Sequence, residues 1–443
     1  MNSPNQDSAH NSSQKPDRRQ FVSASAAAAT VGITGVPIGD VKPKSNGFHN
    51  SVDDRLKIGL VGCGGRGTQA VINALRADDN SEVTALADAF QDRIDICYEG
   101  LQENKVAAER LNVPKERQFT GFDCHEKLVN SEVDVVLLAT PPYFRPAQMQ
   151  AAVAANKHVF CEKPVAVDPP GVRTVMAACE EAKTKGLSVV TGLCYRYDIA
   201  VNAVMKQVLE EKAIGEIKAI QENYLTGTLW HRGDKPEWSQ MENQMRNWLY
   251  YTWLSGDLIL EQHIHSLDKA IWLMGDEPPE TAVGTGGRLV RTNPKWGNVY
   301  DHFSTVYEWK NGVKMFSNCR QMADCLNDVN DYVIGTKGTA RILSREISDG
   351  DKVVWKFKEK TPSMYDVEHQ HLFRSIREGK PINDGKIMTQ STMLAIMGRE
   401  ACYTGRKIKW EELMQSETKL GPNELKFGDY TPAPVAMPGG DAW

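Results

Sequence analysis

The most restrictive feature of this chain is an apolar run, Leu56-Lys57-Ile58-Gly59-Leu60-Val61, that passes directly into Gly62-Cys63-Gly64-Gly65-Arg66-Gly67. The run has the length of a strand. Residues 68–76 then place Ala70, Val71, Ala74 and Leu75 on one side, as a helix does. Residues 82–87 read as a second strand that ends at Asp88. Glycines spaced G-x-G-x-x-G between a strand and a helix have separate tasks. Gly62 makes the tight turn, Gly64 lets a pyrophosphate approach the backbone, and Gly67 lets the helix pack close to the strand. The helix start, with Gly65 and Arg66, offers free N–H groups to the phosphates. Asp88 is placed to bind the adenosine ribose hydroxyls, and its charge repels a 2′-phosphate, so NAD is favoured over NADP. Arg93 is near enough in sequence to soften that preference by pairing with a phosphate.

The alternation continues. Residues 133–139 form a buried-type strand ending at Thr140-Pro141-Pro142, and a helix follows over 145–156. Residues 158–161 form another strand, ending at Glu162-Lys163-Pro164. A helix over 170–186 leads to a strand over 187–191. Strands alternating with helices predict a doubly wound parallel sheet, whose ligands sit off the carboxyl ends of the strands. Asp88, Thr140, Pro141, Glu162, Lys163, Tyr195 and Arg196 all fall at or after such ends.

Composition narrows the class. At 443 residues, 41% apolar and 25% charged, the chain has the profile of a soluble protein of two or three domains. The net charge is −5 and the charges are dispersed, which argues against a nucleic-acid binder. No run of about 18 strongly apolar residues is present, so no integral membrane protein is expected. Nine Cys are scattered without a C-x-x-C pair, which makes a disulfide framework improbable.

Residues 1–54 differ from the rest. A polar opening leads to Arg18-Arg19-Gln20-Phe21-Val22 and then an uncharged, Ala-rich stretch to Gly39. Paired arginines before a mildly hydrophobic segment resemble a twin-arginine export signal, which would carry the folded protein to the periplasm. The competing reading is a low-complexity tail that buries too little apolar surface to fold; without a functional signal the protein would be cytoplasmic.

From its motifs the chain resembles the glucose-fructose oxidoreductase, inositol dehydrogenase and rhizopine catabolism (Gfo/Idh/MocA) family. The resemblance covers about residues 55–410. It rests on GCGGRG at 62–67, ATPP at 139–142, KHVFCEKPVA at 157–166, GLCYR at 192–196 and HIHSLDKAIWLMG at 263–275. It implies an α/β protein in two parts: a Rossmann domain over 55–195 and a substrate-binding α/β domain over 196–410 with a large, open, mostly antiparallel sheet. The sequence agrees: residues 299–309 and 313–322 flank Asn311-Gly312, a strong hairpin signal. Residues 411–443 read as an extended tail, an arm packing on a neighbour.

The resemblance also implies roles. Lys163 of the EKP motif, preceded in sequence by a Glu and followed by a proline with a cis bond, and a later His carry proton transfer. His265 and Asp268 match the family's His and second Asp directly, and Glu261 replaces the first Asp. On a continuous helix Glu261 would lie one turn from His265 and raise its basicity. His263 departs from the small residue usual in the family; it either narrows the pocket or contacts substrate. A metal held by Glu261, His263 and His265 is disfavoured, because His263 would point away from the other two. Pro142 and Arg145 stand where the family has Asn and His. Arg196, Tyr195, His231 and Asp268 are candidate sugar contacts, with Trp230, Arg232 and the aromatic stretch 248–253 as further aromatic and basic groups.

The activity expected is NAD(P)-dependent oxidation of a sugar, sugar derivative or cyclitol hydroxyl. An alternative is a glycoside hydrolase or sugar transhydrogenase that holds NAD tightly and recycles it internally. A non-enzymatic sugar-binding protein is disfavoured by the retained Lys163 and His265. A homo-oligomer, dimer or tetramer, is expected through the C-terminal sheet.

Overall fold

The computed structural model describes residues 54–439. The Arg18-Arg19 segment lies outside the described residues. Six strands form a parallel sheet: β1 (Leu56–Val61), β2 (Ser81–Asp88), β3 (Gln118–Thr120), β4 (Val135–Leu138), β5 (His158–Cys161) and β6 (Val189–Thr191). Their order, β3-β2-β1-β4-β5-β6, is that of a dinucleotide-binding fold. The order reverses between β1 and β4, so a crevice opens there at the carboxyl ends. These strands read as continuous apolar runs because helices cover both faces. Ile58, Leu60, Val136 and Leu138 are fully buried.

The glycine loop shows why its residues are small. Gly62 has φ +101°, and a Cβ there would stand 2.5 Å from the Thr140 backbone nitrogen. A Cβ on Gly67 would lie 1.9 Å from the Gly62 carbonyl oxygen. The helix Gly65–Ala77 can start against β1 only because that atom is missing.

Nine strands form the second sheet: β7 (Ile217–Thr226), β8 (Thr281–Gly287), β9 (His302–Glu308), β10 (Lys314–Gln321), β11 (Asp328–Gly335), β12 (Thr339–Arg341), β13 (Glu346–Asp349), β14 (Lys352–Lys356) and β15 (Ile408–Lys409). Every pair is antiparallel except the central β7–β10 pair. The Asn311-Gly312 turn joins β9 to β10 as expected, with Gly312 at φ +81°. One face of this sheet is covered by Ile264–Leu273 and the buried helix Gly385–Thr404. Among the described residues no helix is long and apolar enough to cross a membrane.

The tail opens with a short helix, Trp410–Met414, where an extended segment was expected, and has no further helix or strand in its described part. Its described part runs along its own chain. Leu420 N donates to Asp168 Oδ2 (2.9 Å), Gln244 donates to the Tyr430 carbonyl, and Asn298 donates to the Ala433 carbonyl. The Tyr430 ring packs edge-on to Trp253, and Phe427 sits 4.7 Å from Phe122. Aromatic and apolar groups spaced along the Pro/Gly-rich segment supply anchors that composition alone hides.

Candidate active site

A cleft opens at the β1/β4 switch point. Gly62, Gly64, Asp88, Arg93, Thr140 and Pro141 line it on the parallel-sheet side. The helix Gly65–Ala77 has no side-chain cap and no acid in its first turn. Its first N–H groups are therefore left for an anion, and Asp88 lines the same cleft, so these residues fit a dinucleotide. Asp88 accepts from Cys63 N (2.7 Å) and Phe90 N (3.1 Å). Burial pushes its carboxyl up to about 6, against those two bonds. Thr140 donates its hydroxyl to Gln148 (2.6 Å).

The opposite wall comes from the second half of the chain. Trp230, Arg232, Met245, Arg246 and Trp248 line it. Arg246 anchors this wall: its guanidinium takes both Asp92 oxygens (2.9 and 3.0 Å) and stacks 4.1 Å from the Phe90 ring. Trp230, Arg232 and Trp248, read from sequence as groups for a sugar ring, thus stand against the nucleotide cleft. His231 turns elsewhere, with Nε2 on the Lys295 carbonyl (3.0 Å) and its ring beside Tyr250 and Trp296.

Next along the sheet, at the end of β5, stands a chain of charges. Arg66 does not stay at the glycine loop. Its guanidinium reaches Glu162 and Glu368 (2.9 Å to the latter) and lies over the Tyr365 ring. Burial pushes the Glu162 carboxyl up, but the Arg66, Lys163 and Arg145 charges together hold it below the usual range. Glu368, equally buried and next to Glu162, is pushed well above it. One carboxylate of the two therefore carries the charge that Arg66 balances.

The Lys163–Pro164 peptide is cis. The Lys163 ammonium donates to the Glu261 carbonyl (2.5 Å) and pairs with its carboxylate (3.5 Å). This corrects the expectation for Glu261. The helix Leu258–Glu261 ends there, and His263 N donates back to Leu258 O, a widened turn, before a new helix Ile264–Leu273 begins. The turn rotates Glu261 toward Lys163 rather than over His265. The His265 imidazole is correspondingly pushed well below its ordinary value, by burial first and then by Lys163, Lys269 and Arg66. His265 Nδ1 is buried without a partner, which leaves Nε2 as the accessible nitrogen. The Tyr195 ring stands edge-on to the imidazole at 5.4 Å.

Behind His265 the structure buries further charge. Lys269 donates to the His265 carbonyl (2.8 Å) and pairs with Asp331 at 3.3 Å. Asp331 faces Glu222 across β11 and β7, and burial pushes the Glu222 carboxyl well above its usual value. Glu222 is thus a neutral acid in the sheet core.

Three substrate candidates are placed away from any open pocket. His263 is fully buried, with Nε2 on Ser317 Oγ of β10 (2.6 Å). Arg196 spends its guanidinium on Asp268 (3.0 Å) and Asp276 (2.8 Å) and stacks on Trp272. Asp268 also accepts from Ser391 (2.8 Å). They fasten Ile264–Leu273 to its neighbours, because charges at 1% and 9% side-chain exposure must find partners inside.

Sequence reasoning missed what Arg145 does. Fully buried, it donates to the carbonyls of Thr140, Glu162 and Pro164, tying the end of β4 to the end of β5. Its position marks a departure from the family pattern, but nothing local shows that its three acceptors converge. Tyr224 of β7, close enough to Glu261 to feel its charge, was also missed.

Comparison with known proteins agrees with this geometry. Residues 56–191 match the family described as oxidoreductase family, NAD-binding Rossmann fold, and residues 203–341 match the GFO/IDH/MocA C-terminal domain. The chain belongs to the Gfo/Idh/MocA oxidoreductases. The 2,7-anhydro-N-acetylneuraminate hydratase of Escherichia coli K12 is 28% identical over 295 residues, 66% of this chain and 68% of that protein. The myo-inositol 2-dehydrogenase of Thermotoga maritima is 26% identical over 81% of this chain and all of its own length. The scyllo-inositol dehydrogenase structure from Lactobacillus casei with NAD(H) and scyllo-inositol superposes with a TM-score of 0.61 at 19% identity, covering 81% of this chain and 100% of that one.

Proposed function

We propose that this NAD-dependent oxidoreductase acts on a hydroxyl of a sugar or cyclitol, with Lys163 and His265 as the proton-transfer pair. The observation that carries this reading is that Lys163, at the end of β5, is fastened to Glu261 at the turn leading into the His265 helix, close enough for its charge to lower the imidazole. Bound NAD supplies the hydride acceptor. The Lys163 ammonium steadies a hydroxyl oxygen as it gains negative charge, and the neutral His265 imidazole accepts the proton at Nε2. Glu261 holds Lys163 in place through its carbonyl and carboxylate. Inositol dehydrogenases among the relatives support the substrate class.

A second reading has its own support. A relative is named as a hydratase, a class of reaction with no net redox change, while this chain matches the NAD-binding family. Transient oxidation with internal return of the hydride would reconcile the two. A panel of cyclitols, aldoses and glycosides separates them. Net NADH formation in step with substrate loss supports the dehydrogenase; turnover without added nucleotide and without NADH supports the recycled cycle. No turnover of any polyol or glycoside, with NAD bound, would remove both.

Export by the Arg18-Arg19 signal is proposed from sequence, and the paired Lys variant should then remain in the cytoplasm; periplasmic delivery at the normal level would defeat it. A homo-oligomer is proposed through the open face of the nine-stranded sheet. Val283, Val306 and Phe316 form one cross-strand row there, and Val283 and Phe316 are 41% and 46% exposed. A monomeric mass by light scattering would count against it.

A further inference from the structure

The central strands of the nine-stranded sheet carry a polar row on a face that is otherwise apolar. Asp331 of β11, Glu222 of β7 and Ser317 of β10 stand opposite one another in register. The neighbouring row on the same face is Val333, Ile220 and Met315, all fully buried. Helix Ile264–Leu273 packs on the polar row: His263, just before it, bonds to Ser317, and Lys269 within it pairs with Asp331 at 3.3 Å. The Lys269 ammonium also donates to the His265 carbonyl (2.8 Å) and lies over the Tyr195 ring at 4.3 Å. The far side of that story is the imidazole itself, since the same Tyr195 ring stands edge-on to His265.

A lysine ordinarily carries its ammonium out to water. The Lys269 side chain is 1% exposed and that of Asp331 is 0% exposed. Apolar side chains of similar volume would hold these elements together at least as well, because desolvating two ions offsets most of their attraction. The row beside them shows that this face accepts such residues. Stability therefore does not account for the ion pair, and its contacts lead to His265.

We propose that Lys269, held by Asp331, is a positioning residue for His265, fixing its backbone through the carbonyl and its ring through Tyr195. The proposal rests on His265 being the proton acceptor of the reaction. The pair also bears on the charge of the ring. The charges that act on the imidazole are cationic: Lys163 from the end of β5, Lys269 from its own helix and Arg66 from the glycine loop. The nearby acids are spent elsewhere, Glu261 on Lys163 and Asp268 on Arg196. Tyr195 and Tyr224 are pushed up by burial and stay uncharged. Glu222 is held neutral by burial and by Asp331, which leaves Asp331 to balance Lys269. A neutral imidazole is the form that accepts a proton from a hydroxyl, and the buried ammonium beside it disfavours the charged form.

Nuclear magnetic resonance titration of the NAD-loaded full chain, isotope-labelled at the histidine Cε1 carbon, tests this. The proteins are wild type, Lys269→Met and the double variant Lys269→Met/Asp331→Val, with His265→Gln to assign the signal. In both Lys269 variants the His265 titration should move to higher pH by about one unit or more. Their single-turnover rate on the polyol that wild type accepts should fall about tenfold to hundredfold, the size expected for a misplaced reacting group. The double variant leaves neither ion of the pair unpaired, so its thermal midpoint should match or exceed that of wild type. That stability separates misplacement of the ring from loss of the fold. A double variant as stable as wild type, with an unmoved His265 titration or the wild-type rate, would overturn the proposal, because the pair would then only fill the core. A His265→Gln chain as fast as wild type would instead overturn the proton-transfer reading beneath it.

Discussion

Single residues in this protein are set by burial more than by their neighbours in sequence. Asp88 titrates near 6 because desolvation outweighs its two backbone bonds. Its ribose contact should then weaken as pH falls: NAD affinity is expected to drop about tenfold between pH ~7.5 and pH ~5. Asp88→Asn should start weaker and show a flat profile, and an equally steep profile in that variant would remove Asp88 from the ribose. His263 gives a stability test. Its folded-state value lies at about 3, lowered from the usual 6.5 by burial and then by Lys269. A lowered histidine leaves the unfolded chain binding the proton more readily. Its contribution is therefore intact above about pH 6.5 and is lost as pH falls toward 3. Between pH ~6.5 and ~4.5 the loss is about 2 kcal/mol. Urea unfolding at those two values should show wild type losing that much more stability than His263→Gln; parallel losses would mean that the ring is not buried neutral.

Elements show what sequence can and cannot reveal. The strand, glycine loop and helix from Leu56 to Ala77 were legible because each glycine answers a local steric demand. Gly67→Ala should accordingly cost several kcal/mol, about 3 or more, since its methyl would meet the Gly62 carbonyl, which is backbone and cannot swing aside. A folded variant with native thermal stability would contradict that packing. The segment from Leu258 to Leu273 was legible as helix but not as two helices. No proline or glycine marks the widened turn at Gln262-His263; it is imposed by tertiary packing, with His263 drawn onto Ser317. Arg196 was misread for a similar reason. Its partners Asp268 and Asp276 lie 72 and 80 residues away, and only the fold brings them together. The tail was read as extended over 411–443, but its first residues continue the helix Trp410–Met414, and its anchors on Trp253 and Phe122 are contacts across the whole chain. Ending the chain after Ser416 should lower stability by about 3 kcal/mol, from the buried Leu420 and the partly buried Leu425 and Tyr430. It should also weaken NAD, because Phe427 backs Phe90 at the cleft.

At the scale of the whole molecule, two sheets divide the work. The parallel sheet presents strand ends, and with them the dinucleotide cleft, Asp88 and Lys163. The nine-stranded sheet carries the helix that delivers His265, and the charges around them run unbroken from Arg66 through Glu162 and Lys163 to Glu261. Arg145 fixes the spacing of the strand ends on which this depends. The central claim is that Lys163 and His265 move the proton while the cleft holds NAD. The most direct measurement is single-turnover chemistry by NAD-loaded wild type, Lys163→Met and His265→Ala on the polyol that wild type accepts, read as nicotinamide reduction or product formation. Each variant should retain bound NAD and lose about 10²–10⁴-fold in rate, the usual contribution of an acid–base group. A His265→Ala protein that is folded, loaded with NAD and as fast as wild type would contradict the account.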